Sequence, residues 1–150
     1  MTAFLTLTET FRVAPQIEET DLDRAASEGV RLVISNRPDG EAADQPANAA
    51  LKDAARAHGL DWLDIPIQPG QVTMEAVSRT AEALQQAGGP VLAFCRTGTR
   101  SATLWALAEA AHGSRPLEDI ISRAAEAGYD LAPMEATLSD LRADQQNDPA

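Results

Sequence analysis

The chain has 150 residues, 44% of them hydrophobic, the make-up of one globular domain with a core of its own. Its formal net charge of −11 argues against nucleic acid and anionic membrane surfaces as partners. A single cysteine excludes an internal disulfide and a Cys-rich zinc site, and no apolar run approaches the ~18 residues of a membrane span.

Met1 to Thr10 lacks the basic start and apolar core of a secretory signal, so a cytoplasmic location is expected. Phe11 to Ala14 reads as a short strand, and Thr20 to Glu28 as a helix capped by Thr20 and stopped by Gly29. Val30 to Ser35 is rich in branched residues and strongly β. Residues 36 to 46, Asn-Arg-Pro-Asp-Gly-Glu-Ala-Ala-Asp-Gln-Pro, are turn formers and predict a loop. Ala47 to His58 is an Ala-rich helix ended by Gly59. Asp61 to Ile67 predicts a strand near a sheet edge, since Pro66 has no N–H to donate. Thr73 caps a helix to Ala87, which Gly88-Gly89-Pro90 breaks. Val91 to Phe94 is a continuous apolar run, the mark of a strand covered by helices on both faces.

Residues 101 to 111 form the next helix, and Ser114 opens another, with Pro116 early in its first turn and Gly128 at its end. A last helix runs from Pro133 to Arg142. This assigns residues 1–143 to one domain and 144–150 to a polar, disordered tail. Trp62, Trp105 and Tyr129 are expected in the core. His58 and His112 each precede a glycine at a helix end, where a cation suits the dipole better than a metal or a catalytic role. No cofactor and no metal are expected. The alternation of strands and helices predicts a single α/β domain with a largely parallel central sheet flanked by helices. Ligands of such sheets bind beyond the carboxyl ends of the strands, which is where Cys95 falls.

Pro90 to Ser101, Pro-Val-Leu-Ala-Phe-Cys-Arg-Thr-Gly-Thr-Arg-Ser, holds the one cysteine at the end of an apolar strand, followed by a short loop and a helix. A lone cysteine there commonly serves as a small hydrophobe. An inert core cysteine, however, has no need of Gly98, the two arginines Arg96 and Arg100, and the hydroxyls of Thr97, Thr99 and Ser101 just after it. Strand, tight loop and helix start aim backbone N–H groups and the helix dipole at one point, which favours the nucleophilic thiolate. Eleven of the twelve basic residues are arginine, and two flank Cys95 in an acidic molecule, a setting suited to a small anionic substrate.

Arg100 five residues past the cysteine, with Gly98 between, resembles two families with phosphate-type loops. In cysteine-dependent phosphatases five residues separate Cys from Arg and a His precedes the Cys; here four intervene and Phe94 stands in the His position. Rhodanese-type sulfurtransferases use a shorter loop, so by length Cys95 to Arg100 looks rhodanese-like. Phe11-Arg-Val-Ala-Pro-Gln-Ile, Val33-Ile-Ser-Asn-Arg-Pro-Asp-Gly-Glu with Gln45-Pro46, Ile65-Pro-Ile and the Cys loop together resemble a bacterial family of phosphatase/sulfurtransferase domains. Members occur alone or fused to metallo-β-lactamase-like hydrolases of the persulfide dioxygenase type. The resemblance, over residues 10 to 112, implies a dual-specificity-phosphatase-like fold carrying a rhodanese-like loop, and an enzyme of persulfide dioxygenase type as a partner.

The leading expectation is a sulfurtransferase in which the Cys95 thiolate takes sulfane sulfur from thiosulfate or a persulfide. Arg96 and Arg100 would attract the donor, the hydroxyls of Thr97, Thr99 and Ser101 would bond it, and Gly98 would allow the turn. The alternative is a phosphatase acting through a cysteinyl-phosphate, with Arg100 clamping the phosphoryl oxygens. That chemistry calls for a general acid, and the position where the phosphatase pattern has Asp holds Gln68-Pro69-Gly70. Asp39 or Glu41 would substitute if the loop carrying Asn36 and Arg37 folds over the site. A third reading is a non-catalytic module that binds an anion or a partner at this loop.

Overall fold

Five short strands form one sheet in the computed structural model, which describes residues 2–147: β1 (Leu5–Thr8), β2 (Phe11–Ala14), β3 (Leu32–Ser35), β4 (Asp61–Asp64) and β5 (Val91–Phe94). Their order is β1-β2-β5-β3-β4, and every pair is parallel except β1 with β2. Six helices, α1 (Glu19–Ser27), α2 (Asn48–Ala57), α3 (Met74–Gln86), α4 (Thr99–His112), α5 (Leu117–Glu126) and α6 (Glu135–Asn147), cover the two faces. The α/β architecture with a largely parallel sheet is the one expected from the alternation of elements.

Side-chain alternation along the strands sorts the apolar residues into two cores. Leu92 and Phe94 of β5, with Val33 of β3, meet Leu22 and Ala25 of α1 and Leu51 and Ala55 of α2. Val91 and Ala93, with Val13 and Ile34, face the opposite core, which holds Val77, Leu104, Trp105, Ile120 and Leu138. α4 runs through that second core and buries eight of its residues, seven of them apolar, so through its middle the apolar side chains are not confined to one face. Trp105 stacks on Phe11 with ring centroids 6.4 Å apart.

The structure departs from expectation at several boundaries. β1 is an additional strand: Leu-Thr-Leu-Thr is four residues long, and its connection to β2 lacks the Gly or Asn of a tight hairpin. α1 is entered at Glu18, not Thr20, because the Asp21 carboxylate turns back to accept from the Glu18 N–H at 2.9 Å. α4 begins at Thr99, two residues before the expected start, which carries Arg100 into its first turn. Pro116 stands just before α5 as its cap, and a 3-10 turn (Ala132–Met134) leads into α6. Residues 144–147 of the expected tail continue α6, and 148–150 lie outside the described residues. β4 does lie at the sheet edge, and Thr73 does cap α3, accepting from the Ala76 N–H at 3.1 Å.

The register decides where the site lies. Ala14, Phe94 and Ser35, the last residues of β2, β5 and β3, are partners across the sheet. The three segments that leave them, Pro15–Ile17, Cys95–Gly98 and Asn36–Glu41, therefore emerge side by side at the carboxyl edge.

Candidate active site

Cys95 is the first residue beyond the central strand, and backbone bonds tie its surroundings to both neighbours. Its N–H donates to the Ala14 carbonyl at 3.3 Å, the Gln16 N–H donates to the Arg96 carbonyl at 3.2 Å, and the Asn36 N–H donates to the Phe94 carbonyl at 2.8 Å. Cys95 is free and fully buried. Gly98 has a φ of 94°, in the left-handed region, and caps α4. That conformation turns its N–H back onto the Cys95 Sγ at 3.0 Å. The N–H groups of the first turn of α4 have no intrahelical acceptors, and the end of the helix that carries them, the positive end of its dipole, begins directly after the Gly98 N–H that faces the sulfur.

Arg100 projects from that first turn into a network anchored on the 36–46 loop. Its Nη1 donates to Glu41 Oε2 and its Nη2 to Glu41 Oε1, both at 2.8 Å, and Nη1 also donates to the Ile67 carbonyl at 2.8 Å. Arg37, buried, approaches the same carboxylate from the other side through Nε at 3.0 Å, and its Nη1 donates to Gln16 Oε1 at 3.0 Å. The Arg100 hydrogen bonds, and behind them Arg37, hold the Glu41 carboxyl below its ordinary range against the opposing effect of burial. Glu41 in turn raises Arg100, with the Cys95 sulfur adding to the effect. Near neutral pH the Glu41 side chain is a fixed carboxylate, with no proton to donate.

Of the two carboxylates expected to serve as acid, Glu41 thus reaches the site in the wrong protonation state, and Asp39 does not reach it. Asp39 is exposed and accepts from the Asn48 N–H at 2.8 Å, closing the start of α2. Ser101, expected to bond the anion, has its hydroxyl engaged by Asn36 instead, and Asn36 supports the loop from behind without lining the cavity. Ser101 Oγ donates to Asn36 Oδ1 at 2.8 Å, and Asn36 Nδ2 donates to the Ile65 carbonyl at 2.9 Å, a buried stitch between α4 and the loops after β3 and β4. Thr97 and Thr99 share a hydrogen bond at 3.1 Å between their exposed hydroxyls.

A cavity of about 430 Å3 opens at this edge, lined by Glu41, Gln68, Pro69, Arg96, Thr97 and Arg100. Arg96 and Thr97 are exposed at this cavity, whereas Cys95 is buried and is not among its lining residues. Among the described residues no three His, Cys, Asp or Glu side chains converge in a way that would hold a metal ion, and no helix is long and apolar enough to cross a membrane.

Three participants carry no individual signal in the sequence. Gln16 and the Ile67 carbonyl are brought in by strand register, although Gln16 lies within one of the motifs that resemble the family. Tyr129, expected in the core, is buried, yet its hydroxyl donates to the Thr97 carbonyl of the Cys loop at 3.1 Å.

Comparison with known proteins bears on the family and the fold. Residues 3–112 match the model of the beta-lactamase hydrolase-like protein, phosphatase-like domain. A beta-lactamase hydrolase-like protein of Agrobacterium fabrum is 34% identical over 125 residues, 83% of this chain but 29% of that protein, so the chain spans about three tenths of its relative's length. A proposed phosphatase from Neisseria meningitidis, solved as a crystal structure, is 34% identical and superposes with a TM-score of 0.81 over 93% of this chain and 98% of its own. Pseudomonas aeruginosa TpbA, crystallised with phosphotyrosine as a cysteine variant, shares the fold at a TM-score of 0.63, with 16% identity, 98% of this chain and 96% of its own covered. The chain belongs to the family of phosphatase-like domains found in beta-lactamase hydrolase-like proteins.

Proposed function

We propose that this chain is a cysteine-dependent phosphatase acting through a cysteinyl-phosphate on small anionic esters whose leaving group departs unprotonated, aryl phosphates such as phosphotyrosine. The observation that carries the reading is the Cys95 sulfur under the Gly98 N–H, with Arg100 aligned beside it by Glu41. Membership of a phosphatase-like family supports phosphoryl transfer, and phosphotyrosine on TpbA supports the substrate class. These put phosphoryl transfer ahead of sulfur transfer, the reverse of the order that loop length suggests.

In the first step the Cys95 thiolate attacks phosphorus; the S–P bond forms and the P–O bond breaks, the aryl oxide leaving with the bonding pair. Water then attacks phosphorus, the S–P bond breaks, and the thiolate is restored as inorganic phosphate leaves. An arginine carries five N–H donors, and Glu41 and Ile67 engage three of those on Arg100. The Nε–H and one Nη2–H remain as a parallel pair for two phosphoryl oxygens, while backbone N–H groups of the loop other than that of Gly98, which stays on the sulfur, serve the rest. A burst of phenolate from an aryl phosphate, inhibition by vanadate and loss of both activity and burst in Cys95→Ser are expected. Hydrolysis that survives Cys95→Ser overturns the mechanism.

One observation favours sulfur transfer as a second reading. Glu41 is the one carboxylate among the residues lining the cavity, and it is held ionised. Sulfur transfer needs no acid: Cys95 attacks the outer sulfur of thiosulfate, an S–S bond forms, and sulfite leaves with the electrons of the bond broken. An enzyme of persulfide dioxygenase type would then be the fitting partner. The intact mass after exposure to thiosulfate or glutathione persulfide distinguishes the two, since this chemistry adds one sulfur atom that a thiol removes.

A further inference from the structure

Tyr129 follows α5 and lies beyond residue 112, where the family match ends. Its hydroxyl donates to the Thr97 carbonyl at 3.1 Å, and the Gly98 N–H donates to Cys95 Sγ at 3.0 Å. That carbonyl and that N–H belong to one peptide group, in which C=O and N–H point in opposite directions. A single line therefore runs from the phenol O–H through the peptide to the sulfur. We propose that Tyr129 is a positioning residue for the nucleophile: its hydroxyl keeps the Thr97–Gly98 peptide turned so that the N–H, and not the carbonyl oxygen, faces Cys95.

The need for such a clamp follows from the glycine. Gly98 adopts either sign of φ at little cost, so the peptide before it is free to flip. A flip would set a carbonyl oxygen against the sulfur and repel its thiolate. Gly98 cannot be exchanged for a stiffer residue here, because a Cβ would collide with the Tyr129 hydroxyl and lie 2.9 Å from its Cζ. The same close approach excludes side chains and admits the clamp. Burial, and secondarily the Cys95 sulfur, raise the Tyr129 hydroxyl above its ordinary range, so it stays a donor when the thiol ionises. Hydrogen bonds in series polarise one another, so the phenol strengthens the N–H donor as well as aiming it.

The inference rests on Cys95 as nucleophile, which both chemical readings share. Cys95 is the one cysteine and Tyr129 the one tyrosine of the chain, so each is observed without interference. Iodoacetamide alkylation of Cys95 followed against pH compares Tyr129→Phe with the unaltered protein. The rate near neutrality should fall about three- to tenfold, the factor one hydrogen bond of ordinary net strength commands, and the midpoint of the profile should move to higher pH. In turnover, kcat should fall more than KM rises. An unaltered alkylation profile in Tyr129→Phe overturns this proposal alone, whereas turnover retained in Cys95→Ser overturns the nucleophile and the proposal together. A measurement on the unaltered protein covers the case of a variant that fails to fold. With 13Cζ-labelled tyrosine, the resonance should shift as Cys95 ionises or is alkylated; an indifferent resonance also overturns the clamp.

Discussion

Glu41→Gln tests the central electrostatic device, because it removes the charge and nearly nothing of the volume. The carboxylate accepts two bonds from Arg100 at 2.8 Å and one from Arg37 at 3.0 Å, and the side chains of Glu41, Arg100 and Arg37 are 16%, 14% and 5% exposed. A unit-charge pair ~4 Å apart at an effective dielectric constant of ~20 interacts by about 4 kcal/mol, and desolvation offsets part of this. The amide introduced at position 41 would turn an NH2 group toward one guanidinium and leave two arginines short of a counter-charge. We expect a loss of about 2–3 kcal/mol, or roughly 5–10 °C in Tm for a chain of this length.

The pH dependence has a defined sign. Arg100 first, and Arg37 after it, hold the folded-state carboxyl below the ordinary 4.5, so its stabilisation is complete above 4.5 and lost as pH falls through the folded-state value. The stability gap between the unaltered protein and Glu41→Gln should therefore be full at neutral pH and close on acidification. Thermal melts followed by circular dichroism across the acid range measure it. A Tm unchanged at neutral pH, or a gap that persists into acid, refutes the reasoning. Kinetics add a second arm: if Glu41 aligns Arg100, the variant's KM for an aryl phosphate rises, whereas tighter vanadate binding in Glu41→Gln would mean that the carboxylate occupies the substrate's place.

Two further substitutions probe the loop and its anchor. Gly98→Ala combines a strained φ of 94°, of order 1–3 kcal/mol, with the collision at Tyr129, and should abolish burst kinetics and lower Tm; adding Tyr129→Ala should recover part of the stability but not the rate, as followed by melting and stopped-flow. Asn36→Leu leaves the Ser101 hydroxyl and the Ile65 carbonyl unpaired in a buried position, and should lose about 2–5 kcal/mol in denaturant unfolding, with wild-type stability counting against the stitch.

Much of the scaffold is legible in the sequence because it is encoded locally. Val91–Phe94 is apolar at every position, so it belongs between two helical layers, and the glycine loop after it marks a strand-to-helix turn without reference to the rest of the chain. Thr73 and the Gly88-Gly89-Pro90 break bound α3 in the same way. β1 is not legible, because four residues of alternating Leu and Thr acquire meaning only from a partner, here β2. α6 runs past Arg142 although Asp-Gln-Gln-Asn is polar, with Asp144 and Gln146 exposed, so polarity there does not mark the loss of helix.

The candidate site divides along the same line. Cys95, Gly98 and Arg100 stand within six residues, and their arrangement, a thiol beneath a turn with a cation on the next helix, follows from that spacing. The environment of Arg100 does not, since Glu41 lies 59 residues away and Tyr129 reaches Thr97 across 32. No periodicity links such positions; β-sheet register and helix packing bring them within 3 Å or so of one another. Local spacing specified that the thiol, the turn and the cation stand together, because covalent proximity holds them there in any fold. Whether Glu41 would stand as an acid or as a fixed carboxylate was left to the tertiary structure, because a protonation state depends on every charge nearby and not on the residue's own neighbours in sequence.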